Sequence, residues 1–240
     1  MKVSVIGAGN VGATCANVLA NYDVAKEVVL LDIKDGFAEG KALDIWETAA
    51  VLNYSTKTVG ATNDYGATAG SDIVVITSGM PRKPGMSRDD LISTNANIVK
   101  SVTEQVIDAS PNAIIIVVAN PLDVMTYCAY LAAKVDHRKV FGMAGILDTA
   151  RYKAFLADEI GCSPKDIQAV LMGGHGDTMA PLTRYTTVGG IPVSEFVAAD
   201  KLEAIVNRTK KGGGEMVQLL GTSAWYAPGG ASGQMVDAIM

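Results

Sequence analysis

The sequence predicts an α/β protein, a doubly wound parallel sheet followed by a smaller α+β region. Three observations carry this. Short apolar runs alternate with helical stretches through the first half. Those runs are rich in Val and Ile and do not alternate with polar residues, which is the pattern of strands covered on both faces. The rhythm then changes near Met143.

Taken in order, "VSVI" (3–6) is a strand and leads to an alanine-rich helix from about Val11 to Ala20. "EVVLLD" (27–32) precedes the helical "AEGKALDIWETAAV". "DIVVIT" (72–77) leads through a loop, "GMPRKPGMSRDD", to "RDDLISTNANIVKSVTEQVIDA". "AIIIVVAN" (113–120) precedes "PLDVMTYCAYLAAKV". Past Met143, "ILDTARYKAFLADEIG" reads as a helix ending at Gly161, and "IQAVLM" and "APLTRYTTVGG" are strand-like. Two helices close the chain, split by "KKGGGEM" (210–216) and "TSAWYAPGG". These elements imply a first domain over 1–144 and a second over 145–240. The final "ASGQMVDAIM" has no glycine cap or proline stop, so it reads as a helix cut in mid-pattern and the second domain as incomplete.

Composition narrows the function. The net charge is −5, and basic residues are scattered except in the loop after residue 78. Such a chain offers little to offset phosphate repulsion, which argues against nucleic acid and anionic membranes as partners. Three widely spaced cysteines, Cys15, Cys128 and Cys162, form neither a disulfide framework nor a metal pattern. The longest apolar run, 113–119, is too short to cross a bilayer. The expectation is a soluble cytoplasmic protein without a metal.

"VSVIGAGNVGATCANVLA" supplies Gly7, Gly9 and Gly12 as G-x-G-x-x-G between a strand and a helix. Alone this is a tight turn. With Asp32 closing the next strand about 20 residues later, it becomes the fingerprint of a dinucleotide-binding Rossmann sheet. Gly7 makes the turn, Gly9 admits a pyrophosphate to the backbone, and Gly12 allows close helix packing. The helix N-terminus favours the anion. Asp32 accepts from ribose hydroxyls and repels a 2′-phosphate, so the cofactor is NAD rather than NADP.

Of the two histidines, His137 sits among charges in "KVDHRKV" and reads as a solvated surface residue. His175, in "LMGGHGDTMAP", is flanked by Gly173, Gly174 and Gly176. A turn histidine bonded to backbone and an approachable acid–base group are equally good readings of that segment alone. "GILDTARYKAFL" breaks the tie. Asp148 and Arg151 share a helix face, and the helix around them is mostly apolar. A solvated ion pair is the usual outcome of such spacing. A buried Asp beside His instead fixes the imidazole tautomer, and a buried Arg fits a carboxylate. Together these groups point to hydride transfer on a hydroxy acid.

The chain closely resembles NAD-dependent malate dehydrogenases of the bacterial type related to lactate dehydrogenases. The resemblance spans the whole chain and rests on "GAGNVG", "LLDI", "SGMPRKPGMSRDDL", "NANI", "VVANPLDVMTY", "GILDTARY", "GGHGDTMAPL" and "GTSAWYAP". It implies His175 as the proton acceptor and donor, with Asp148 as its partner. Arg151 would hold the first substrate carboxylate, Arg88 would polarise the reacting carbonyl and Arg82 would hold the second carboxylate. Asn120 would bond to substrate beside the cofactor. Gly7, Ala8, Gly9, Asn10, Val11, Gly12, Asp32, Asn95, Val118 and Ala119 would complete the cofactor site. The Asn120–Pro121 bond matches one the family keeps cis. Many relatives carry Thr or Ser at Ala119, where the contact is chiefly backbone. Family members continue for several tens of residues, and they assemble as dimers or tetramers, so a homo-oligomer is implied.

Lactate dehydrogenases commonly carry Gln where this loop has Arg82, which favours a dicarboxylate such as malate or oxaloacetate. A lactate-type enzyme is the near alternative, and a non-enzymatic NAD-binding module is a more distant one. A binder needs none of His175, Asp148, Arg151, Arg88 and Arg82. A phosphate-binding NTPase is excluded because the glycine loop lacks the Lys-Ser/Thr ending.

Overall fold

The computed structural model describes residues 1–80 and 88–240, with the side chains of 88–90 outside the description. The chain divides into two compact units, Met1–Met143 with Pro228–Met240, and Ala144–Ala227.

The first unit opens with β1 (Lys2–Ile6), α1 (Asn10–Asn21), β2 (Glu27–Asp32), α2 (Phe37–Glu47), α3 (Ala49–Leu52) and β3 (Lys57–Thr62). It continues with β4 (Ile73–Ile76), α4 (Arg88–Ala109), β5 (Ile114–Val117), α5 (Leu122–Ala133) and β6 (Val140–Gly142). The six strands form one sheet in the order β3-β2-β1-β4-β5-β6. Every pairing is parallel. This is the doubly wound order, and it puts a ligand crevice outside the strand ends where the order reverses, between β1 and β4. Val3, Val5, Leu30, Val74, Val75, Ile115 and Ile116 are fully buried, as their continuous apolar runs require. β3 and β6 carry no clear signal in the sequence. "KTVGAT" contains only one strongly apolar branched residue, and "VFG" is too short to show a period.

The second unit begins with α6 (Gly145–Ile160). Five two-residue strands follow: β7 (Ile167–Gln168), β8 (Leu171–Met172), β9 (Ala180–Pro181), β10 (Thr187–Val188) and β11 (Ile191–Pro192). They make a three-stranded sheet, β11-β10-β7, and the pair β8-β9, all antiparallel. Tyr152 and Leu156 of α6 pack with Ile167, Leu171, Met179 and Ile205 in the core of this unit.

One expectation needs correction. "KKGGGEM" does not split a helix: α7 runs unbroken over Ala199–Leu220. Arg208 forms a two-pronged ion pair with Glu215 across the three glycines, with Nε at 3.0 Å and Nη2 at 2.6 Å from the carboxylate oxygens. The buried face of Ile205, Thr209 and Gly212 carries the helix through its weakest residues, and the exposed pair adds a small brace across two turns. α8 (Tyr226–Ile239) absorbs "YAPGG". Pro228 falls in its first turn, where a missing N–H costs nothing. Pro228–Met240 pack with the first unit, because Gly229 and Gly233 let α8 close on Thr14 and Val18 of α1.

Candidate active site

In the first unit the glycine loop joins β1 to α1. Gly7 has φ +103°, and a side chain there would strike Ser78 and Thr77 at 2.9 Å. Gly12 is more constrained: a Cβ would lie 1.8 Å from the Gly7 carbonyl oxygen. Gly9, by contrast, faces open space. It caps α1 without a side-chain hydrogen bond, and the first turn of α1, from Asn10 and Val11, carries no acid. Helix-start N–H groups left without a side-chain cap form a natural anion seat. The residues therefore fit a dinucleotide pyrophosphate.

Asp32 ends β2 beside this loop. Its Oδ2 accepts the Ala8 N–H at 2.6 Å, and its Oδ1 accepts the Lys34 N–H at 3.0 Å. The carboxylate thus anchors the loop, and each oxygen retains a lone pair for a ribose hydroxyl. Thr77 adds a support that the sequence did not announce. Its hydroxyl sits 3.1 Å from the Ile6 carbonyl and 3.0 Å from that of Gly7.

At the ends of β4 and β5, Asn95 is 2% exposed. Its Nδ2 donates to the carbonyls of Asn120 (2.7 Å) and Met80 (3.2 Å), and its Oδ1 accepts the Met80 N–H at 2.7 Å. Asn95 therefore fixes the backbone of Asn120 and the start of the basic loop together. Val118 donates its N–H to Ile76 at 2.9 Å, Ala119 is buried, and the Asn120–Pro121 bond is cis. Arg82 lies outside the described residues. Arg88 opens α4, with its side chain outside them.

In the second unit three predicted residues meet. Asp148, 2% exposed, lies in the first turn of α6. Its Oδ2 is 2.8 Å from His175 Nδ1, and its Oδ1 accepts from Arg151 Nη1 at 3.2 Å. One buried carboxylate thus bridges the imidazole and the guanidinium. Burying a lone carboxylate is costly, so two donors are the physical condition for its being there. His175 follows β8, where Gly173 at φ +89° turns the chain. The Leu171 N–H reaches Thr149 Oγ1 at 3.0 Å and ties this strand to α6. His137 is exposed beside Asp136. Among the described residues no group of side chains could hold a metal ion, and no helix is long and apolar enough to cross a membrane. Sequence reasoning missed Gly212, which lies buried against Arg151.

Comparison with known proteins agrees on both halves. Residues 1–142 match the lactate/malate dehydrogenase NAD binding domain, and residues 146–240 match the alpha/beta C-terminal domain of the same family. A malate dehydrogenase of Cytophaga hutchinsonii is 72% identical over 240 residues, which is all of this chain and 77% of that protein. The solved malate dehydrogenase of Salinibacter ruber superposes with a TM-score of 0.94 at 57% identity, covering 99% of this chain and 75% of that one. A Cryptosporidium parvum lactate dehydrogenase, solved with lactic acid and NAD, gives 0.92 at 38% identity, covering 99% of this chain and 76% of that one. By both of its halves the chain belongs to the lactate/malate dehydrogenase family, and with it to the NAD-dependent oxidoreductases.

Proposed function

We propose that this chain catalyses the reversible oxidation of (S)-malate to oxaloacetate, with His175 as the acid–base group. The carrying observation is the Asp148 carboxylate shared between His175 and Arg151. A carboxylate only accepts, so neutral His175 carries its proton on Nδ1 and exchanges the substrate proton at Nε2. Asp148 then stabilises the imidazolium that forms as the malate 2-hydroxyl loses its proton. Bound NAD supplies the hydride acceptor. In the reverse direction the imidazolium returns the proton to the carbonyl oxygen. Arg151 holds one substrate carboxylate while Asp148 steadies its guanidinium, and Asn120 bonds to the substrate. Arg88 polarises the carbonyl.

The choice of malate over lactate rests on Arg82 and on the 72% identical malate dehydrogenase. The lactate dehydrogenase likeness shows that the fold alone does not select the substrate. A charge pair at about 4 Å and an effective dielectric near 20 is worth roughly 4 kcal/mol before desolvation. Half of that still gives more than about tenfold discrimination. The reading places the enzyme in the cytoplasm as a homo-oligomer. Its test is NADH consumption by this chain with oxaloacetate and with pyruvate. Oxaloacetate should win clearly, and Arg82→Gln should move the preference toward pyruvate. Equal use of the two keto acids by the parent would defeat the malate assignment. Tight NADH binding without turnover of either would return the chain to a binding module.

A further inference from the structure

The three glycines of α7 are not equivalent. An α-helix interior disfavours Gly against Ala by about 1 kcal/mol per position. Gly213 and Gly214 are exposed, with open space where a side chain would go. Gly212 is buried, and a Cβ there would meet Arg151 Cδ at 3.2 Å and Nε at 3.6 Å. The first distance is closer than most real Cβ contacts, so the arginine stem would have to give by a few tenths of an ångström.

That stem leads directly to the site. Arg151 Nη1 lies two bonds beyond Nε and 3.2 Å from Asp148 Oδ1. The other oxygen of Asp148 holds His175 at 2.8 Å. The Arg151 side chain is only 16% exposed, so it has little room to swing clear. We propose that Gly212 is a positioning residue for Arg151: the absence of a side chain at 212 sets where the guanidinium meets the substrate carboxylate. This rests on the reading of Arg151 as the carboxylate holder. Small misplacements of a clamp weaken catalysis steeply, by up to roughly 10²-fold for 1 Å.

The test is steady-state kinetics of the chain with NADH and oxaloacetate. Gly212→Ala should raise the KM for oxaloacetate by about 5- to 20-fold, with a smaller change in kcat and the NADH Kd unmoved. Gly213→Ala and Gly214→Ala should leave all three constants in place while raising the melting temperature. The same order should appear in the Kd of hydroxymalonate, a dicarboxylate that binds without reduction, and this reads the contact where turnover is slow. In an Arg151→Gln background, itself of raised KM, Gly212→Ala should add nothing. A Gly212→Ala KM within about twofold of the parent, or effects that multiply in the double variant, overturns the inference. Arg151→Gln without effect removes the carboxylate-holder reading, and the positioning role falls with it. If Gly212→Ala does not fold, Gly212→Ala with Arg151→Ala decides: regained NADH binding supports the contact, and continued failure to fold overturns it.

Discussion

The turn from Gly7 to Gly12 and the turn from Gly173 to Gly176 are both rich in glycine, and they use it in opposite ways. The first is locked from outside. Gly7 lies against Thr77 and Ser78 at the end of β4, and Gly12 lies against Gly7 itself. On the proposed reading its working groups are backbone N–H groups, so its shape would be its function. The second turn closes on its own chain. A side chain at Gly173 would meet the Thr178 carbonyl at 2.6 Å, within the same loop. On the proposed mechanism its working group is one side chain, His175, which the turn only has to present. Binding and stability should therefore be inseparable in the first turn and chemistry separable in the second.

The sharpest way to break this contrast is His175→Asn. Turnover should fall by about 10²–10⁴-fold, while the NADH Kd, read by fluorescence titration, stays within about twofold. Loss of NADH binding in that variant would mean that the second turn also shapes the cofactor site. Gly12→Ala should come next, lowering stability by about 3 kcal/mol through overpacking, with NADH affinity falling alongside. Parent-like binding together with a lowered melting temperature would separate the two properties and refute the idea that shape alone carries function there.

A loop with no assigned chemistry calibrates both. Asp23 sits at φ +53°, and its Oδ1 accepts from Ser55 N (2.8 Å), Thr56 N (2.7 Å) and Thr56 Oγ1 (2.9 Å). The Ser55 N–H, followed by the two Thr56 donors, lowers its pKa. A depressed carboxyl pKa adds stability that is present above the unfolded value of about 3.9 and lost as pH falls through the folded one. Asp23→Ala should therefore melt below the parent at neutral pH, with the gap narrowing below about pH 4 to the pH-independent cost of Ala at positive φ, and the kinetic constants unmoved. A gap that persists unchanged into acid would show that charge on Asp23 is not what the loop uses.

Much of the fold was legible because it is written locally. Val- and Ile-rich runs marked β1, β2, β4 and β5, and Gly7, Gly9, Gly12 and Asp32 marked the dinucleotide turn by spacing alone. β3 escaped because its residues are mixed, and β6 because three residues carry no period. "KKGGGEM" misled for the same local reason. Three glycines argue for a break, and the packed face of α7 reverses that, with a small contribution from the exposed Arg208–Glu215 pair.

The sequence by itself determined the parallel β-α alternation with four of the six strands, the glycine turn, and the candidates for the groups that carry chemistry. His175, Asp148 and Arg151 could be named from residue type and from the apolar surroundings of α6. Only the tertiary structure decided how they share a charge. One oxygen of Asp148 faces the imidazole and the other faces the guanidinium, with Gly212 backing the arginine from a helix some sixty residues away in the chain. Spacing along a chain reports which residues share a strand or a helix face. It carries no information on which atom of a buried carboxylate meets which donor, because that is set by packing between elements far apart in sequence.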